Sequence, residues 1–156
     1  MKALKPFFQW LATTDWFMRV GPKIVPRMDR AVYWLTRGRG VASDKMIPTL
    51  ILTTTGSVSG EPRTSPLACM PEPGGSFVVV GSNYGRPQHP AWSGNLLKTP
   101  RGVVSFRGRT FDVSARLLEG AERAEAWAGL IEMWPTYDRY TEKSGRELRV
   151  FRLAPA

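Results

Sequence analysis

Two tyrosines three residues apart, Tyr137 and Tyr140, have a type and spacing that could do chemistry. Pro135 can open a helical turn just ahead of them, and residues at i and i+3 then share one face. A phenol on that face can wall a pocket and donate a hydrogen bond or a proton; plain packing is the alternative. A second set is small and polar: Gly56-Ser57-Val58-Ser59-Gly60, followed by Arg63-Thr64-Ser65-Pro66-Leu67-Ala68. Gly56 and Gly60 permit a turn with positive φ that brings backbone N–H groups close to an anion. Arg63 adds a planar fork that suits phosphate or carboxylate. A third set follows the apolar run Phe77–Val80: Gly81-Ser82-Asn83, then Ala91-Trp92-Ser93-Gly94-Asn95. Trp92 offers a flat apolar wall for a planar ring, and Ser82 and Asn95 offer orienting hydrogen bonds. Read alone, these residues also describe a hairpin with a structural arginine and a core tryptophan.

Other chemistries are poorly supplied. One histidine, His89, leaves no metal cluster and no Ser-His-Asp triad beyond a single candidate base, so a loop role is expected for it. The one cysteine, Cys69, falls in a strand pattern as a small buried hydrophobe and fits a reducing cytoplasm.

The elements that must position these sets fit one compact unit of 156 residues. Strands are expected at 48–55, 62–70, 76–82, 101–107, 110–118 and 147–153, with turns at Pro73-Gly74-Gly75 and Arg107-Gly108-Arg109. Helices fit 90–98 and 121–134, the latter with Ala124, Trp127, Ala128 and Ile131 in phase. Antiparallel strands with helices outside make an α+β chain with a small closed or split β-barrel. Ahead of this body (46–156) lies an arm (1–45) with nine Lys/Arg against three Asp, most of the net charge of +9. One helix from Pro6 to Gly21-Pro22 should align Phe7, Trp10, Leu11, Phe17 and Met18. A second, from about Pro26 to Thr36, should align Met28, Val32 and Leu35. Such helices either pack on the sheet or lie on an anionic membrane. No apolar run approaches the ~20 residues that span a bilayer, and Gln9 and Asp15 interrupt any signal-peptide core.

In order along the chain, Thr53-Thr54-Thr55-Gly56, Ser59-Gly60-Glu61-Pro62-Arg63, Pro66-Leu67, Gly81-Ser82-Asn83, His89-Pro90-Ala91-Trp92 with Asn95-Leu96, and Trp134-Pro135-Thr136-Tyr137-Asp138-Arg139-Tyr140 resemble the deazaflavin-dependent nitroreductase family of actinobacteria. The likeness runs over roughly residues 30–154. It implies a split β-barrel of the FMN-binding type that holds the deazaflavin coenzyme F420 in a groove. Ser57-Val58-Ser59 and the stretch Arg63 to Ala68 would meet phosphate, tail and ring. Val80, Gly81, Ser82 and Asn83, with Ala91, Trp92, Ser93, Gly94 and Asn95, would line the rest. Tyr137 would reach the substrate side, with Tyr140 and Trp134 shaping the pocket. The chain departs from the family where Ser57 and Val58 stand in place of Arg or Lys, Asn83 in place of a basic residue, and Ala68 in place of an aromatic.

The activity implied is hydride transfer from reduced F420 to an electron-poor acceptor: a nitroaromatic, a quinone or an activated enone. Tyr137 would steady negative charge on the acceptor oxygen. An FMN-binding or flavin-carrying barrel is the nearest alternative. A nucleic-acid-binding barrel is disfavoured, because the charge does not interleave with aromatics along the strands. The expected place is the cytoplasm, with the arm touching the inner face of the membrane. Removing residues 1–36 should then leave activity on soluble acceptors intact.

Overall fold

A computed structural model of the protein describes residues 5–37, 40, 44 and 46–156. Six strands, β1 (Thr49–Thr55), β2 (Pro62–Pro71), β3 (Phe77–Val80), β4 (Arg101–Phe106), β5 (Arg109–Leu117) and β6 (Val150–Pro155), are antiparallel throughout. They close into a barrel in the order β1-β2-β3-β6-β5-β4. The expected fold class is met. β3 stops at Val80 instead of reaching 82, because Asn83 and Tyr84 adopt positive φ and turn the chain out of the ladder. β6 runs later than expected, since its partners on β3 and β5 hold it in register from Val150 to Pro155.

Alternation of period two sorts the side chains into two cores. Leu50, Leu52, Cys69, Phe77, Val79, Phe151 and Leu153 gather inside the barrel, joined by Trp92 and Leu96 from α3 (Ala91–Lys98). Val78, Val80 and Val150 point the other way. They pack with Ala126 and Leu130 of α4 (Gly120–Met133), with Trp134, and with Tyr137 and Tyr140 of α5 (Thr136–Ser144). Each fully buried Leu or Phe contributes about 1.5–3 kcal/mol, so both faces of these strands stabilise the fold. On α4 Trp127 and Ile131 pack against the core as expected, but the buried pair is Ala126 and Leu130, and Ala124 and Ala128 face solvent. Contact with β2 sets that rotation: a Cβ on Gly129 would lie 3.0 Å from the Met70 sulfur.

The arm differs most from expectation. α1 spans Lys5–Ala12 and α2 runs unbroken over Asp15–Leu35, with Pro22 and Pro26 inside it. The break falls at Thr13-Thr14, where the Thr14 hydroxyl caps α2 by accepting from the Phe17 N–H at 3.3 Å. Each internal proline removes one helical hydrogen bond. Packing holds the helix regardless, since Met18, Gly21 and Asp29 are buried on the body. Gln9 donates to the Met133 carbonyl at 3.0 Å and Arg139 pairs with Asp15 at 3.2 Å. Phe7, Trp10, Met28 and Leu35, expected on packed faces, are half-exposed or more.

Candidate functional site

A cavity of about 250 Å³ opens between α2, the β2–β3 side of the barrel and the junction of α4 with α5. Ser65, Pro66, Leu67 and Ala68 of β2 form one wall, and Val80, Ser82, Asn83 and Tyr84 continue it. Trp92 and Pro90 come from the start of α3; Trp134, Tyr137 and Tyr140 close the opposite side. The roof is α2, through Phe17, Val25, Pro26 and Asp29. Pro135 does precede the helix that carries the two tyrosines. α5 sits close because Gly85, at φ +74°, leaves room for the Tyr140 backbone, which a Cβ there would approach to 3.3 Å.

The phenols of the cavity are protonated and unpaired. Neither Tyr137 nor Tyr140 hydrogen-bonds to a described residue, although both side chains are buried. Burial raises the Tyr137 pKa well above the ordinary phenol value, with Tyr140, Cys69 and Tyr84 adding to it; burial and Tyr84 do the same for Tyr140. Tyr84 is pushed up to about 12, by burial first and then Asp29, with Arg86 opposing. All three rings keep their protons at neutral pH. The ring centres of Tyr137 and Tyr140 are 6.5 Å apart and those of Tyr84 and Tyr140 6.3 Å, so the three phenols form one cluster.

The Gly56–Gly60 turn lies apart from these walls and is bonded mostly to itself. The Gly60 N–H donates to the Gly56 carbonyl and the Gly56 N–H to the Glu61 carbonyl, each at 2.8 Å. Gly60 supplies the positive φ of 71°. Gly56 is needed for space instead: a Cβ there would come within 2.6 Å of the Ser59 hydroxyl. Asn95 is a brace: its Oδ1 accepts from the Ser57 N–H at 2.9 Å and its Nδ2 donates to the Thr54 hydroxyl at 3.0 Å. Arg63 reaches the Ser59 hydroxyl at 3.3 Å and stays exposed.

Of the residues expected to line a groove, the cavity therefore gathers Ser65, Pro66, Leu67, Ala68, Val80, Ser82, Asn83, Trp92, Trp134, Tyr137 and Tyr140. Ser57, Val58, Ser59, Arg63, Thr64, Gly81, Ala91, Ser93, Gly94 and Asn95 are not among its walls. Sequence reading missed the α2 roof, because a helix interrupted on paper at Gly21-Pro22 cannot be laid across a pocket. It also missed Lys98, whose Nζ sits 2.6 Å from the Ser57 carbonyl. Its spacing from Asn95, one helical turn, was the available signal. Among the described residues no group of three or more potential metal ligands occurs.

The comparisons bear on what this cavity belongs to. The sequence profile of the family described as F420H(2)-dependent quinone reductase matches residues 25–155. The chain belongs to that family. An F420H(2)-dependent quinone reductase of Mycobacterium tuberculosis is 30% identical over 136 residues, which is 86% of this chain and 90% of that protein. A putative F420H(2)-dependent quinone reductase of Mycobacterium bovis matches to the same extent. Among solved structures, an F420-H2 dependent reductase superposes with a TM-score of 0.62 at 36% identity, over 68% of this chain and 93% of that one. The family match extends through the second half of α2, so the roof residues Val25, Pro26 and Asp29 lie within the matched region and Phe17 lies ahead of it.

Proposed function

We propose that this protein is an F420-dependent oxidoreductase that reduces quinone-type acceptors, with nitroaromatics and enones as further acceptors of the same electronic kind. The observation that carries this reading is the pair of buried phenols, Tyr137 and Tyr140, without protein partners, facing the same cavity as the β2 wall and Trp92. When bound, reduced F420 supplies a hydride, which is chemistry the protein's own side chains lack. A volume of about 250 Å³ is just below the range of about 300–1,000 Å³ typical of small-molecule pockets. It suits flat rings against flat apolar walls, and an anionic tail would leave it toward the Gly56–Gly60 turn. There Arg63 and Lys98 would supply positive charge, Lys98 standing in for the basic residues that the turn itself lacks.

The residue roles follow from position. Ser65 to Ala68, Val80, Ser82, Asn83 and Trp92 would hold the ring system, while Ser57, Val58, Ser59, Arg63 and Thr64 would meet phosphate and tail. Gly81 and the α3 stretch Ala91, Ser93, Gly94 and Asn95 would support that groove from behind. Trp134, Tyr137 and Tyr140 would shape the acceptor side. As a quinone takes up a hydride, negative charge collects on its oxygen. A phenol kept protonated by burial stabilises that charge by donating a hydrogen bond, and the proton that completes the hydroquinone comes from water.

The arm is proposed as a contact with anionic membrane. Trp16, Ile24, Met28 and Leu35 are exposed along α2, and Arg19, Lys23, Arg27 and Arg30 are exposed beside them. No helix among the described residues is long and apolar enough to cross a membrane. Because α2 also roofs the cavity, deleting residues 1–36 would damage the site, and the expectation of intact activity after deletion does not stand. Replacing Lys23, Arg27 and Arg30 by Glu is the cleaner test. That variant should lose co-sedimentation with anionic vesicles at low salt and keep turnover on a soluble quinone. Equal sedimentation of both proteins would end the membrane proposal.

The activity itself is tested by offering reduced F420, NADPH and reduced FMN separately with a water-soluble quinone. Turnover with reduced F420 alone is expected. Turnover with NADPH or reduced FMN, and none with reduced F420, would overturn the reading.

A further inference from the structure

The segment between β3 and α3 carries three cavity walls, Ser82, Asn83 and Tyr84, on a backbone that does not hold its own shape easily. Asn83 and Tyr84 lie at φ 46° and 55°, in the left-handed region, which an asparagine adopts readily but a tyrosine rarely, so two such residues in a row need support from their surroundings. Local bonds help. The Gly85 N–H donates to the Ser82 carbonyl at 2.9 Å and the Asn83 amide to the Gln88 carbonyl at 2.9 Å.

The larger restraint comes from outside the segment. Arg146, in the connection between α5 and β6, turns its guanidinium onto this one loop. It donates to the Gly81 carbonyl at 3.0 Å, the Ser82 carbonyl at 3.0 Å and the Arg86 carbonyl at 3.2 Å, and meets His89 Nδ1 at 3.1 Å. All three of its nitrogens are engaged, and no carboxylate among the described residues pairs with it. Arg146 is not itself a cavity wall. A planar fork of five donors fits such a set of acceptors, which a lysine's point charge does not.

We infer that Arg146 is a positioning residue: by clamping the Gly81–His89 segment it holds Ser82, Asn83 and Tyr84 in the one arrangement that receives ligand. The inference rests on the reading of this cavity as the cofactor and acceptor site, and it assigns a role to a residue that touches neither.

The clamp carries a pH dependence. An N–H of Arg146 points at His89 Nδ1, so that nitrogen must be the unprotonated one, with the ring proton on Nε2. Burial first, then Arg149 and Arg146, lower the His89 pKa from its ordinary 6.5. Both charged groups acting on the ring are cations, and Arg86 in the loop itself is a third basic residue. A lowered folded value means that the neutral ring belongs to the clamped state. The His89 contact is therefore present above about 6.5 and is lost as pH falls through the lowered value, which weakens the clamp to its three carbonyl bonds and should raise the KM for quinone.

Arg146→Ala, Arg146→Lys and His89→Asn separate these points. In Arg146→Ala the dissociation constant of F420 and the KM for quinone should rise by about 10- to 100-fold, the effect of a misplaced wall, with kcat within about threefold of the parent. Amide hydrogen exchange in 81–90, read without any ligand, should quicken by about 10-fold while β1 and β4 stay protected. His89→Asn keeps an acceptor where Nδ1 stands and should abolish the rise in KM on acidification. A folded Arg146→Ala with unchanged exchange and unchanged KM overturns the inference. If that variant does not fold, Arg146→Lys decides by the same two readouts, and parental values there overturn it equally. A parent protein that fails to bind F420 would sink the functional reading, while the exchange measurement still decides the clamp.

Discussion

The two ends of the proposed site spend their polar groups in opposite ways. At the Gly56–Gly60 turn the amides of Gly56, Ser57 and Gly60 have protein acceptors, and Asn95 uses both ends of its side chain on the scaffold. At the cavity, Tyr137 and Tyr140 are buried and bond to no described residue. Their oxygens are not sealed in: among the described residues the buried side-chain polar atom without a partner is Thr136 Oγ1, so each phenol O–H reaches open space. The contrast separates holding from offering: the turn spends its amides on the scaffold, while the two phenols leave their O–H groups unpaired among the described residues.

The sharpest way to break that contrast is Tyr137→Phe, which keeps the ring and removes the donor. Turnover with reduced F420 at saturation should fall by roughly 10- to 1000-fold, taking the loss of one oxyanion donor as the upper bound. Cofactor affinity should change far less. Full activity with every quinone tried would leave Tyr137 as a wall and no more.

At the other end the pattern should invert. Arg63→Ala and Lys98→Ala should each weaken F420 binding by ~10-fold, given about 1.5–3 kcal/mol for a charged hydrogen bond partly screened at the surface, and leave kcat near the parent value. Unchanged binding in both folded variants would remove the anionic tail from this turn. Asn95→Ala tests the brace itself. It strands the Ser57 N–H and the Thr54 hydroxyl and should cost about 1–3 kcal/mol in denaturant unfolding. A loss below about 0.5 kcal/mol would mean the turn holds itself.

Two pH measurements sharpen the comparison further. Because burial raises the Tyr137 and Tyr140 pKa values above the ordinary 10, the donor form persists as pH rises from 7 to 10. No alkaline fall in turnover should trace to Tyr137 in that window, and a limb near pH 8 that disappears in Tyr137→Phe would refute this. The smallest effect belongs to neither end. Glu122, held to about 2 chiefly by the Arg116 hydrogen bond with Arg152 adding, sits on an exposed ion network that also includes Glu72. A lowered carboxyl contributes stability above its ordinary 4.5 that is lost as pH falls toward 2. Glu122→Gln should flatten that part of the melting-temperature curve and leave ligand binding untouched; a curve like the parent's would show the network to be silent.

Much of the barrel was legible because it rests on short-range rules. Arg107 and Gly108 both take positive φ, at 49° and 79°, as a two-residue hairpin turn requires. Phe77-Val78-Val79-Val80 reads as an apolar strand, and the structure divides its four residues between two cores. The arm was misread for the opposite reason. Pro22 and Pro26 are local signals to stop a helix, and only the burial of Met18, Gly21 and Asp29 overrides them. Arg146 carried no signal at all, since its acceptors are backbone carbonyls roughly sixty residues away, and a carbonyl looks the same in every residue.

By itself the sequence determined the strands, their turns, the tyrosine pair behind Pro135 and the motif order that marks the family, because periodicity, turn chemistry and spacing act over a few residues. Tertiary structure alone decided that α2 roofs the cavity, that Asn95 and Lys98 converge on Ser57, and that one arginine clamps the loop bearing three of the walls. The last two join parts of the chain 38 to 65 residues apart, and the arm meets the body across 124, separations that no local pattern in the sequence spans.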